Sequence, residues 1–483
     1  MCAIVCTLLD FPISLDIIGE KMEKRVKEYS SRWSILLVTS LSSFLTPFMA
    51  SSINIALPSI SREFKMNAIL LGWIATSYLL AAAMFLVPFG RLADIQGRKK
   101  IFLYGISLYG ISSFLVAIST SAEGLIIFRV LQGFGGAMIF GTSVAILVSV
   151  FPVAERGAVL GINTASVYSG LSLGPFLGGL LTQNLGWRSI FYLNVPICLI
   201  IIFLALWKLK GEWAGARGEK FDFTGSMIYS LALVSLIYGF SLLPATKGFV
   251  LVTLAILGIF SFVVLEMKVE FPVLNINLFR TNAVFAFSNL AALVNYSATS
   301  AVTFLLSLYL QYIKGLSPQN TGSILVFQPI VMAIFSPLFG RLSDKIEPRF
   351  VASTGMGLTV VGLVLLTLLG ESSTLIYIIA LLILLGLGFA FFSSPNTNAV
   401  MSSVEKKCYG VSSATLATMR LTGQMLSMGM VMMIFSIYLG RVQITPQSYP
   451  LFLKSMRTSF TIFAVLCFGG IFASLARGRL RRN

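Results

Sequence analysis

Residues 90–100 read GRLADIQGRKK, a polar, basic stretch between two long apolar runs. Arg91, Arg98, Lys99 and Lys100 concentrate four positive charges there. Loops so rich in arginine and lysine stay on the cytoplasmic side of a membrane. Gly90 and Gly97 suit a tight turn, because glycine adopts backbone shapes that other residues resist. Asp94 lies among the cations, with partners in reach. Residues 340–349, GRLSDKIEPR, say something similar: Gly340, Arg341, Leu342 and Asp344 match Gly90, Arg91, Leu92 and Asp94 at an offset of 250 residues. The lead-ins agree too, FLVPFG before the first and FSPLFG before the second. Two related halves carrying one turn at one membrane face is the logic of a secondary transporter.

The composition supports that class. The 483 residues are 57% hydrophobic and 11% charged, with a mean hydropathy of +0.90; a soluble chain carries about 25% charged residues. Long uncharged runs recur along the whole length, so the expected fold is all-α and polytopic. The net charge of +17 does not indicate nucleic acid, because the basic residues lie in short loops between spans. There is no histidine, which excludes imidazole catalysis, histidine metal sites and imidazole proton shuttles. Cys2, Cys6, Cys198, Cys408 and Cys467 are scattered without a CxxC, so neither a disulfide framework nor a zinc site is indicated. No cofactor and no enzymatic activity are expected.

Fourteen apolar runs of spanning length divide the chain into a cytoplasmic N-terminal segment (1–33), a six-helix bundle (34–208), a polar linker (209–223), an inserted helix hairpin (224–267), a second six-helix bundle (268–476) and a basic tail (477–483). With both termini cytoplasmic, 25 of the 35 lysines and arginines fall in inner segments and 8 in outer loops, the asymmetry that sets topology. Fourteen rather than twelve rests on the repeat offset, which two bare six-helix halves would not reach. The stretch MEKRVKEYSSRW from Met22 reads as a basic lead into the first span, which leaves two candidate starts, Met1 and Met22; an intact mass of native protein decides between them.

The whole body of the chain resembles the major facilitator superfamily, and within it the fourteen-span EmrB/QacA-like drug:proton antiporters. GRLADIQGRKK resembles the family's loop signature between the second and third spans. The resemblance implies a conformational latch built from Gly90, Arg91, Asp94, Gly97 and Arg98, with Gly340, Arg341 and Asp344 as its second copy. In the fourth span, Arg129-x-x-Gln132-Gly133 resembles the family's motif whose arginine is linked to proton coupling. A charge inside an apolar helix must face a watered or paired interior; the bland alternative is an arginine snorkelling to the interface. In the fifth span, GLSLGPFLGG puts Gly170, Gly174, Gly178 and Gly179 with Pro175 in a pattern that resembles the antiporter motif of drug exporters. By itself, such glycine spacing also suits any close helix crossing. In the thirteenth span Arg420 and Gln424 sit one turn apart. Asn54 and Asn163 are further candidates for the cavity, as are Ser51, Ser52, Asn289, Asn295, Gln328, Asn396 and Asn398, though each could equally bridge two helices.

The departures from the family matter as much. Met49 stands where many members carry an aspartate before a run like TIVNVALP, and none of the 18 acids falls in the middle of a span. Glu266 and Glu123, at span ends, are the nearest remaining proton carriers. Arg129 and Arg420 without an embedded acid suit an anionic or neutral amphipathic substrate better than a cation. The expected partners are the lipid bilayer, a small-molecule substrate and a coupling ion, a proton by resemblance. The expected place is the inner (cytoplasmic) membrane, and the expected work is alternating-access export of a small amphipathic or drug-like molecule. The rivals are transport of an anionic metabolite, and a non-transporting sensor or assembly subunit on the same fold.

Overall fold

The computed structural model describes residues 15–152, 155–209, 211–274, 276–405, 409–440 and 442–478, and no strand occurs among them. Among the described residues, thirteen helices are long and apolar enough to cross a membrane. Lipid offers the backbone no hydrogen bonds, so each span closes its own as a helix.

The first group contains α1 (Leu15–Phe64), α2 (Ala68–Gln96), α3 (Arg98–Ala117), α4 (Ala122–Val150), α5 (Arg156–Leu185) and α6 (Arg188–Lys208). α5 has spanning length but falls outside the thirteen, because its glycines, serines and Asn163 dilute its hydropathy. Within the group α1 packs on α5 and α6, and α4 on α2 and α3. α7 (Phe223–Leu242) and α8 (Thr246–Glu266) form a hairpin, followed by the short α9 (Ile276–Thr281). The last group is α10 (Ala283–Thr299), α11 (Val302–Leu308), α12 (Pro318–Leu325), α13 (Phe327–Lys345), α14 (Pro348–Leu366), α15 (Leu375–Ser402), α16 (Tyr409–Tyr438) and α17 (Tyr449–Ala476). The apolar run that opens the second bundle is broken between α10 and α11, then ends in a π-turn, Tyr309–Ile313. Such turns often sit at functional positions.

The two groups meet along two seams, α2 against α16 and α5 against α12 and α13. α7 lies over the first seam. Tyr229 Oη donates to Ala83 O (3.3 Å) and Ser230 Oγ to Met84 O (3.3 Å), both on α2. A Cβ at Gly429 of α16 would meet Ile237 Cδ1 at 2.6 Å. α8 is the outer layer, with Phe249, Leu254, Ile256 and Phe260 more than half exposed, a surface that lipid would cover.

The 90–100 stretch is less of a loop than its composition suggests. Gly90 is helical within α2, and a Cβ there would meet nothing. Gly340 is likewise helical within α13, facing Ser394. The expectation that Gly90 and Gly340 make turns is therefore corrected: helix continuation satisfies their backbones, and Gly90 instead lies beside Gly141 of α4 (3.3 Å from its Cβ position). Gly97 alone breaks the chain, with φ +122° and ψ 129° between α2 and α3.

Candidate functional site

The seams enclose a cavity of about 180 Å³ midway along the helices. Its lining includes Ser51 and Asn54 from α1, Tyr78 from α2, Arg129 from α4, Leu171 and Pro175 from α5, Tyr296 and Thr299 from α10, Gln328 and Met332 from α13, Phe389 from α15, and Gln424 and Met428 from α16. Arg129 is the sole charged side chain in that lining.

Arg129 is 1% exposed. It does not snorkel to an interface. Nε donates to Ile74 O (3.1 Å), Nη1 to Gln132 Oε1 (2.5 Å), and Gln132 Nε2 in turn donates to Ser113 Oγ (2.7 Å). The Tyr78 ring lies 4.6 Å from the guanidinium carbon, a cation–π contact strengthened by exclusion of water. Glycines make room for this nest. A Cβ at Gly133 would come within 2.6 Å of Ala81 Cβ and Tyr78 O, and one at Gly136 within 2.7 Å of Tyr78 Oη. Gln132 is thus a support for Arg129 rather than a lining residue.

α5's glycines face two different partners. Gly174 and Gly178 lie against α1, where a Cβ would meet Phe48 O and Ser52 Cα, each at 2.8 Å. Gly170 faces the same helix at Phe44 and Phe48. Ser52 Oγ donates to Gly174 O (2.8 Å). Gly179 faces across the seam instead, where a Cβ would come within 2.6 Å of Pro318 O of α12, while Gly322 of α12 returns the contact against Pro175. The four-residue spacing serves packing within the first group; the extra glycine serves contact between groups.

The remaining candidates separate. Asn54 and Gln424 line the cavity. Arg420 sits one turn from Gln424, with Nη2 donating to Thr397 Oγ1 (2.6 Å) and the Tyr296 ring 5.7 Å away. Asn163 is buried on α5 apart from the cavity. Asn289, Asn295, Asn396 and Asn398 bond to other helices or to their own turn. Met49, where an aspartate was looked for, is fully buried and takes a contact from Asn194 Nδ2 at 2.9 Å on Sδ. Glu123 is exposed in the first turn of α4, whereas Glu266 is 3% exposed.

Sequence reasoning missed the clasp around Gly97. Residues 211–219 lie over the start of α3. Arg98 N donates to Trp213 O (2.9 Å), Ala216 N to Asp94 O (2.9 Å) and Lys99 N to Glu212 Oε1 (2.8 Å). Arg91 pairs with Glu219, and Asp94 with Arg98 at 2.7 Å. In the second copy, Asn398 Nδ2 bonds Ser343 Oγ (2.8 Å) and Asp344 Oδ1 (2.9 Å), and Arg341 is exposed. Arg477, the first residue of the basic tail, is 2% exposed and donates to Ser474 O (2.7 Å) and Asn396 Oδ1 (3.1 Å). Burial pushes its pKa down to about 10, so it stays charged near neutrality. The rest of 479–483, and Cys2, Cys6, Cys408 and Met1, lie outside the described residues.

Hydrogen bonds across the seams gather at the face opposite the clasp. Ser307 Oγ donates to Asn54 O (2.6 Å), Gln311 Nε2 to Ile55 O (3.0 Å), Ala68 N to Val442 O (3.1 Å) and Gln443 Nε2 to Lys65 O (2.7 Å). Beside them Glu63 binds Arg188 (2.6 Å) and Trp187 Nε1 (2.7 Å).

Two packed helix groups with a shared central cavity define a polytopic membrane transporter. The Major Facilitator Superfamily model matches residues 39–428 and 288–483, so the chain belongs to that superfamily and is a secondary transporter, not an enzyme. It is 29% identical over 443 residues to the riboflavin transporter RibZ of Clostridioides difficile, covering 91% of this chain and 96% of that protein. It is 31% identical over 394 residues to the multidrug resistance protein Stp of Mycobacterium tuberculosis (80% and 73% covered). The tetracenomycin C resistance and export protein of Streptomyces glaucescens is 28% identical over 386 residues (78% and 71%). Among solved structures, a bacterial homolog of the human lysosomal transporter Spinster, inward-facing and occupied, superposes with a TM-score of 0.68 at 15% identity, covering 93% of this chain and 97% of that one. The nucleoside transporter NupG gives 0.62 at 12% identity, covering 93% and 100%. These two likenesses concern the fold.

Proposed function

We propose that the protein exports a neutral or anionic aromatic amphiphile across the cell membrane by alternating access, driven by an ion gradient. The observation that carries this reading is the cavity lining: one guanidinium, three carboxamides (Asn54, Gln328, Gln424), aromatic rings and two methionines, with no carboxylate. A cationic drug entering such a cavity would meet Arg129 with nothing to compensate it. Acceptor-rich flat molecules instead find donors and ring faces. The activities of the relatives support this range, since riboflavin is a flat heteroaromatic and tetracenomycin export is a drug-efflux function.

In this reading both termini and the clasp are cytoplasmic, the two six-helix groups rock about the cavity, and the state described is closed at the outer face. The fourteen-span drug:proton antiporter subgroup and a proton as driving ion belong to the same proposal. The test is flux into proteoliposomes across a panel of organic cations, neutral aromatics and aromatic carboxylates. Selective movement of the last two supports the reading. Robust movement of cations, unaffected by Arg129→Ala, refutes it.

A further inference from the structure

At the root of the inserted hairpin two carboxyl groups face each other. Asp222 caps α7, its Oδ1 accepting from Gly225 N (2.8 Å). Glu266 ends α8, its Oε2 accepting from Leu274 N (2.9 Å). Their other oxygens, Asp222 Oδ2 and Glu266 Oε1, are buried and have no hydrogen-bond partner among the described residues. These two oxygens converge above Gly225: a Cβ there would touch both at once. The Cβ position of Gly225 lies within 2.5 Å of both oxygens, so the two are no more than about 5 Å apart.

Two acceptors facing each other at that range have no donor between them unless one carries hydrogen. Buried polar atoms of folded proteins are nearly always partnered. A single proton shared by the pair supplies the missing bond and removes the repulsion of two adjacent charges. Among the described residues no lysine or arginine pairs with either carboxylate. Lys220, Lys268 and Glu270 are exposed, Glu219 is engaged by Arg91, and Tyr229 directs its hydroxyl to Ala83 on α2. Leu274 N is the backbone donor recorded to Glu266 among the described residues.

Asp222 closes the same segment that holds the clasp, three residues beyond Glu219. We propose that Asp222 and Glu266 form a proton-binding site outside the substrate cavity, and that its single shared proton keeps residues 211–219 fastened over the start of α3. Binding takes one proton from water onto two carboxylates; release returns it to water and leaves two negative charges beside each other. Asp222 belongs to the segment that runs into the clasp, so its movement away from Glu266 draws Glu219 from Arg91. The inference concerns an ion site and holds whichever substrate the cavity carries.

Hydrogen–deuterium exchange of the full-length protein in proteoliposomes reads the clasp through the amides of Arg98 and Ala216, corrected for intrinsic base catalysis. Between about pH 6 and about pH 8.5, a range where isolated carboxylates stay ionised, exchange of both amides should rise at least about fivefold. In Glu266→Gln the amide supplies a permanent donor, so exchange should stay slow and flat. Asp222→Asn, which preserves the helix cap, should behave alike and guards against a folding defect in either variant. Carbodiimide labelling with peptide mapping reads the proton itself: the Glu266 or Asp222 peptide should be modified at the lower pH and spared at the higher. Equal pH response in wild type and both variants overturns the proposal. So does absence of label at the lower pH, or a clasp that follows sodium concentration at constant pH. Since no arm measures transport, a failure here is distinct from a failure of the export reading.

Discussion

Replacing Gly97 by alanine should loosen the clasp, while the same change at Gly90 should not. At φ +122° and ψ 129°, Gly97 occupies a region nearly closed to residues with a Cβ, at a cost of about 1–3 kcal/mol. The added carbon would also come within 2.6 Å of Glu212 Cγ and 2.5 Å of its Oε1, displacing the carboxylate that accepts from Lys99 N. That bond is exposed, so its loss adds at most about 1 kcal/mol. The sum, about 2 kcal/mol, multiplies the open population of residues 211–219 roughly thirtyfold. Gly90→Ala sits in regular helix with open space around its Cβ, where alanine is favoured by up to about 1 kcal/mol. The assay is exchange at Arg98 and Ala216, with initial transport rate alongside. Similar exchange in the two variants would refute the argument that Gly97 alone makes the turn and that Glu212 closes it.

Gly178→Leu should force α5 away from α1, because its Cβ would meet backbone at Ser52 Cα; a destabilisation of about 1–3 kcal/mol would lower the thermal midpoint in detergent, whereas Gly161→Ala, with nothing near its Cβ, should leave that midpoint level or raised. Arg129→Met should cut kcat/KM for an aromatic carboxylate at least about tenfold, a loss near 1.4 kcal/mol of transition-state binding, and Arg129→Lys should not restore it, because lysine lacks the fork that holds Ile74 O and Gln132 together. Glu63→Gln should weaken the half-exposed contact with Arg188 by no more than about 1 kcal/mol, measured as a small drop in thermal midpoint that vanishes in high salt.

Several site residues were legible because their chemistry is costly. A lone arginine in an apolar span has to face an interior, and Arg129 does. Glycines at four-residue spacing have to sit at a close crossing, and Gly170, Gly174 and Gly178 do. The same logic misplaced Gly90, because glycine is also used where two helices touch, as here with Gly141, and sequence does not say which use applies. Amides were the least readable class. Asn54 and Asn163 look alike in the chain, yet one lines the cavity and the other is buried elsewhere, since a carboxamide satisfies itself equally well with a neighbouring helix or with water.

Periodic apolar runs, the two-fold repeat and the absence of histidine settled by themselves that this is an all-helical membrane protein of two related halves without imidazole chemistry. These features follow from local physics: span length, backbone satisfaction in lipid and side-chain inventory. Only tertiary structure decided which helix each glycine meets, that the hairpin covers the α2–α16 seam, that residues 211–219 clasp the start of α3, and that Asp222 and Glu266 come face to face. These are contacts between residues from about forty to more than a hundred positions apart, and the side chains that make them carry no local signal, because their meaning lies in what the fold brings opposite them.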